Sequence, residues 1–274
     1  MTIIGHQKQW QFLKRTAEAK IFSHAYLFCG PEHLGKKTIA IEFLKLSFNQ
    51  DPFHHPDFNY IEPIDKEIKI SQIRDLNWKL SLKPFSAPFK AAVIDKAYLM
   101  NEEAQNCFLK MLEEPKGPTI LILISEFKEA LLPTIVSRCQ AIKFYPVAKN
   151  DLENYLLKEK IKTEARQEII RFSFGCPGRM LDFISCPEKM ENLKKLFREF
   201  EKLRQSDLAS RFQYAKAVSE KADLKETLEA WQFYLMPKLK EYLKFLRQLQ
   251  NTIFFIQKTN VNQRLTLENL ILEL

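Results

Sequence analysis

The sequence predicts an α/β module, a parallel sheet flanked by helices, followed by an all-helical second half. Three observations predict it. A buried strand, a glycine loop and a helix run together from Ala25 to Phe48. Short apolar strands then alternate with helices as far as Phe144, and such alternation builds a parallel sheet covered on both faces. After Pro146 strand-like runs nearly vanish and helical periodicity takes over.

Each element has its own signal. Gln7 to Ala19 carries Trp10, Leu13 and Ala17 at helical spacing. Ala25 to Cys29 is apolar throughout, a buried strand running straight into the loop. Thr38 to Phe48 reads as a helix with Ile39, Phe43 and Leu46 inward, and Phe58 to Ile61 as a second strand. Ser71 is the expected cap of a helix reaching Leu82. Lys90 to Asp95 is an apolar strand ending in an aspartate. Asn101 caps a helix with Ala104, Cys107, Phe108, Met111 and Leu112 on one face, stopped by Pro115, Gly117 and Pro118. Thr119 to Ile124 and Ala141 to Phe144 complete the strands. Helical patterns fill Asn150–Lys158, Thr163–Phe174 and Arg179–Ser185, and long helices follow from Lys189 to Leu274. Gly175-Cys176-Pro177-Gly178 is the clear break, and Ser206-Asp207 a second boundary. The expected division is 1–147, 148–206 and 207–274.

Composition narrows the class. At 274 residues, with 46% hydrophobic and 28% charged residues, the chain has the make-up of a soluble globular protein with a sizeable core. Only six glycines among many Lys, Leu, Glu and Phe favour helix. The net charge of +8 is spread along the chain with no basic tail, which fits mild attraction to nucleic acid or an acidic partner, or simply solvated helix faces. Five cysteines without a C-x-x-C pair imply reduced thiols and a cytoplasmic protein. The first seven residues lack the pattern of a signal peptide. No run approaches the ~20 apolar residues of a membrane helix.

The loop, Gly30-Pro31-Glu32-His33-Leu34-Gly35-Lys36-Lys37, keeps both glycines and the lysine of G-x-x-x-x-G-K-[ST]. Such loops turn backbone N–H groups toward phosphate oxygens at a helix N-terminus, and Lys36 would add charge near the outer phosphates. Lys37, however, stands where a hydroxyl should hold magnesium. Thr38 comes one residue late, on another helix face. Asp95 ends its strand where a carboxylate could reach magnesium through water. Lys96 follows, where ATPases usually place a glutamate to orient water. Two lysines at these two positions point away from hydrolysis. The box Leu131-Leu132-Pro133-Thr134-Ile135-Val136-Ser137-Arg138-Cys139 is intact by contrast. An arginine presented in trans to a γ-phosphate can be worth ~10³–10⁵ in rate, and Arg138 with Ser137 is the candidate.

Together these residues resemble the delta-prime family of bacterial DNA polymerase III clamp-loader subunits, which are AAA+ proteins. The likeness also rests on Gly5-His6, His24-Ala25-Tyr26-Leu27-Phe28, His55-Pro56-Asp57, Ile94-Asp95-Lys96-Ala97 with Met100, and Ala104-Gln105-Asn106. Leu109 to Pro115 resembles the family's L-L-K-x-L-E-E-P, and Gly175 to Arg179 its G-x-P-G-R. The resemblance implies a P-loop AAA+ domain (1–147), a helical lid (148–206) and a helical collar for oligomerisation (207–274). It implies that Ser125 is the first sensor and Arg179 the second, beside the degenerate set Gly30, Gly35, Lys36, Lys37, Thr38, Asp95 and Lys96. It implies a non-hydrolysing subunit that helps load a sliding clamp onto primed DNA. Its partners would be motor subunits that hold ATP and magnesium, and a delta subunit, in a hetero-pentamer; the clamp is met indirectly and DNA phosphates weakly. No membrane contact is expected.

Many relatives carry a four-cysteine zinc module after the loop helix. Leu46 to His55 has no cysteine, so no zinc is expected, and His54 and His55 alone do not make a tetrahedral site. Arg74 and Lys79 are candidates for phosphate contacts, and Trp78 is expected in the core or an interface. An ATP-hydrolysing motor subunit is the alternative reading. An unrelated P-loop kinase or nucleic-acid remodeller leaves the Ser-Arg-Cys and Pro-Gly-Arg segments unexplained.

Overall fold

The computed structural model describes residues 3–220, 224–258 and 261–274. Met1 and Thr2 of the N-terminal reading, and short stretches of the C-terminal helical reading, lie outside them. The chain divides into two compact units, one ending at Leu181 and the next beginning at Asp182.

The first unit is built on a five-stranded parallel sheet in the order β2-β3-β4-β1-β5. The strands are β1 (Ala25–Cys29), β2 (Phe58–Ile61), β3 (Lys90–Ile94), β4 (Thr119–Ser125) and β5 (Gln140–Lys143). The helices between them are α1 (Gln7–Ala19), α2 (Lys36–Phe48), α3 (Ile70–Ser81), α4 (Glu102–Glu113) and α5 (Pro133–Arg138). Three more follow: α6 (Lys149–Lys158), α7 (Thr163–Ser173) and α8 (Pro177–Ser185).

Strand periodicity decides the two cores. Successive side chains point to opposite faces, so Leu27, Ala92, Ile94, Leu121 and Leu123 pack with Ile73 and Leu76 of α3 and Phe108 and Met111 of α4. Tyr26, Phe28, Ala91, Val93, Ile122 and Ile142 pack on the other face with Leu13 of α1 and Ile39 and Phe43 of α2. In register, Leu27 of β1 lies beside Leu123 of β4, and Ile94 of β3 lies on the other side of Leu123.

Several expectations are corrected. Helix α3 starts at Ile70, before Ser71, because the Gln72 side chain accepts from Lys69 N at 3.0 Å and does the capping. Leu44, not Leu46, is the inward residue of α2, and Leu46 is exposed. Helix α5 lies where the sequence suggested no element. Pro177 and Gly178 lie inside α8, so the break narrows to Phe174 and Gly175, both with positive φ. Trp78 is 61% exposed and is not core.

Residues 148–181 cluster with the sheet in the first unit. Val147 N donates to Gly175 O at 2.7 Å, and a Cβ on Gly5 would sit 2.4 Å from Val147. The hydrogen bond ties the segment after β5 to the turn between α7 and α8, and the close approach ties it to the turn before α1.

The second unit is helical: α9 (Pro187–Gln205), α10 (Leu208–Ser219), α11 (Leu224–Leu235), α12 (Leu243–Lys258) and α13 (Gln263–Ile271). Its core gathers Phe200 and Trp231, ring centres 5.0 Å apart, with Phe245, Leu249 and Leu267. Asp207 caps α10, its side chain accepting from Ser210 N.

Candidate functional site

The C-terminal ends of β1, β3 and β4 meet at one edge of the sheet, where open α/β sheets bind ligands. Gly30 follows β1, Asp95 follows β3 and Ser125 ends β4. Gly30 N donates to Ser125 O at 3.2 Å. Gly30 has φ +146, and a Cβ there would lie 2.4 Å from Phe144 O, so only glycine lets the loop leave the sheet here. His33 and Gly35 also have positive φ. His33 O accepts from Gly178 N at 2.7 Å, which sets the first turn of α8, with Arg179, against the loop.

Two cavities adjoin at Leu34, Gly35, Thr38 and Gly178. One, about 270 Å³, is lined by the loop with Asp95, Lys96, Tyr98 and Glu126. The other, about 300 Å³, is apolar and lined by Ile3, Ile4, Ile39, Tyr155 and Pro177.

The charged cavity is internally neutralised. Helix α2 begins with two lysines, which add to the positive end of its own dipole. Carboxylates relieve that charge. Lys36 is buried, and its ammonium donates to Gly30 O at 2.6 Å and Pro31 O at 2.5 Å. Burial pulls its pKa below the ordinary lysine value, against the opposing pull of Glu126, Glu32 and Asp95.

Lys37 Nζ lies 3.7 Å from Asp95 Oδ2 and 4.5 Å from the Tyr60 ring centre. Tyr60 donates its hydroxyl to the same Oδ2 at 2.7 Å. Burial, then the Asp95 carboxylate, pushes the Tyr60 phenol upward. Lys96 N donates to Asp95 Oδ1 at 3.0 Å, and Lys96 Nζ lies 3.1 Å from Glu32 Oε1. Thr38 lines both cavities beside this cluster. Asp95 Oδ2 thus faces the Lys37 ammonium and the Tyr60 hydroxyl, and the next residue in sequence is a second lysine.

Ser125 is buried, and its hydroxyl donates to Phe127 O at 2.9 Å. The structure thus brings Gly30, Gly35, Lys36, Lys37, Thr38, Asp95, Lys96, Ser125 and the Arg179 turn to one place. Ser137 and Arg138 are elsewhere, at the end of α5. Ser137 Oγ and Arg138 NH1 both donate to Thr134 O, at 3.0 and 3.1 Å. Arg138 NH2 also lies 2.8 Å from Glu113 Oε1 of α4. Cys139 beside them is pushed up to about 12 by burial and by Cys29, so its thiol stays protonated.

Sequence reasoning missed four partners. Tyr60, Glu32 and Glu113 meet their lysines or arginine only through the fold. Gln105 is the fourth. It is buried, donates to Met100 O and Ala130 O, and accepts from Leu132 N at 2.7 Å, fixing the entry to α5. Both ring nitrogens of His55 face groups of the chain: Nδ1 accepts from Asp57 N at 3.0 Å, and Nε2 lies 3.4 Å from Ser86 Oγ.

A family profile described as "DNA polymerase III, delta subunit" matches residues 5–148. The DNA polymerase III subunit delta' of Bacillus subtilis is 32% identical over 167 residues, covering 55% of this chain and 51% of that protein. The subunit delta' of Pseudomonas aeruginosa is 34% identical over 177 residues, covering 57% and 54%. The chain thus spans about half the length of these relatives. The crystal structure of a DNA polymerase III gamma subunit-related protein from Thermotoga maritima aligns with TM-score 0.53 at 22% identity, over 96% of this chain and 97% of that one. That likeness is one of fold.

Proposed function

The chain belongs to the DNA polymerase III, delta subunit family, and from that premise we propose that it is a clamp-loader subunit that hydrolyses no ATP and lends Arg138 to a neighbouring subunit's ATP site. The observation that carries this reading is the Lys37–Asp95 pair. A lysine ammonium holds one charge and donates hydrogen bonds. It cannot bind phosphate oxygens and waters together as a magnesium ion does. Lys96, paired with Glu32, offers no carboxylate to draw a proton from water.

Arg138 supports the second half of the reading. It is partly exposed at the end of a short helix pinned by Gln105. A guanidinium so placed can spread positive charge over a γ-phosphate held by another chain. In this reading the neighbours are motor subunits that hold ATP and magnesium, with a delta subunit completing a hetero-pentamer in the cytoplasm. The sliding clamp is met through the complex, and DNA phosphates add weak, salt-sensitive contacts. The chain's own site needs neither a cofactor nor zinc. No helix of the described residues is long and apolar enough to cross a membrane.

The alternative, an ATP-hydrolysing motor subunit, requires a hydroxyl at 37 and a carboxylate at 96. Purified chain incubated with Mg-ATP distinguishes the two. The proposal expects no turnover above the blank; magnesium-dependent turnover by the isolated chain contradicts it.

A further inference from the structure

Arg138 is engaged twice within its own chain. Its NH2 lies 2.8 Å from Glu113 Oε1, and its NH1 donates to Thr134 O at 3.1 Å. Glu113 is the last residue of α4 and Arg138 the last of α5. The two side chains are 43% and 38% exposed, so a ligand can reach the pair without unfolding either helix.

We infer that Glu113 is a resident counter-anion for Arg138, which a neighbour's phosphate must displace; this rests on the trans-arginine reading above. A guanidinium presents five N–H donors in one plane, and here both terminal nitrogens already face in-chain acceptors. A phosphate that grips the guanidinium with two oxygens competes for the same donors. A carboxylate 2.8 Å from the guanidinium also repels a phosphate brought to it. The two anions therefore exclude each other. An exposed pair of this kind is weak, so the exchange reverses readily, as a contact made and broken in each turnover requires. Until a neighbour is seated, Glu113 holds Arg138 back.

The test uses a loader reconstituted with the full chain as wild type, Glu113→Gln, Glu114→Gln or Arg138→Ala. ATP turnover is measured with and without clamp and primed DNA, across ATP concentrations. Glu113→Gln keeps the shape and removes the charge. It raises unstimulated turnover about two- to fivefold, the range that an exposed ion pair spans. It also narrows the ratio of stimulated to unstimulated rate. Glu114→Gln, the charge control one residue on, does neither. Unchanged or lower unstimulated turnover in Glu113→Gln, or an equal rise in Glu114→Gln, overturns the role of Glu113. Failure of the underlying reading is separate: there, Arg138→Ala itself leaves stimulated turnover unchanged.

Discussion

Lys37 Nζ stands 3.7 Å from Asp95 Oδ2, across the entrance of the phosphate loop. Tyr60 completes the group, its ring 4.5 Å from the ammonium and its hydroxyl on the same carboxylate oxygen. The lysine is about half exposed, so its value lies less in stability than in occupancy. One carboxylate that elsewhere serves a metal is here taken by a phenol and an ammonium.

Restoring the chemistry is the first prediction. In Lys37→Thr/Lys96→Glu, Asp95 regains a hydroxyl opposite it and a carboxylate beside it. Mg-ATP then raises Tm by roughly 5–10 °C at a hundredfold excess over Kd, and ATP with chelator does not. Wild-type chain shows no magnesium-dependent shift. An equal magnesium-dependent shift in the wild type refutes the account of Lys37.

Asp57 makes stability depend on pH. It is buried and accepts from Phe85 N, Ser86 N and Ala87 N at 2.7, 2.9 and 3.0 Å. Burial raises its pKa, but those three donors and His55 outweigh burial and hold it below the ordinary value of 3.8. The folded value lies below the unfolded one, so the stabilisation is full above about pH 4 and is lost as pH falls through the folded value. Asp57→Asn costs about 1–3 kcal/mol in urea melts at neutral pH, and the difference from wild type shrinks below pH 4. A difference that stays constant down to pH 3 contradicts this.

Gln105 links the core to the arginine. Gln105→Leu leaves Leu132 N and two carbonyls without their side-chain partner, at a cost of about 2–4 kcal/mol. Amide exchange at Leu132 and along α5 speeds up. Exchange at wild-type rate over residues 130–138 shows that α5 is held by other contacts.

Sequence alone located most of the framework. Strand β1 was legible to the residue because a continuous apolar run ends in a glycine loop, and β2 has the expected bounds Phe58–Ile61. Asn101 was legible as a cap because its side chain accepts from Ala104 N, the bond an N-cap supplies. Helix α5 was not, because six residues are too few to show helical periodicity. Of the two places expected for Trp78, core or interface, its exposure removes the core. The motif residues of the loop were legible one by one. Their pairing was not: Lys37 with Tyr60 and Asp95, and Lys96 with Glu32, arise from strand order and register rather than from nearness in sequence.

The most direct test is the clamp- and DNA-stimulated ATPase of the reconstituted loader, wild type against Arg138→Ala. The account predicts a loss of turnover of about 10³-fold or more at that site, with the complex still assembled by gel filtration. Unchanged turnover in an intact complex contradicts the trans-arginine role and leaves Arg138 a structural residue of α5.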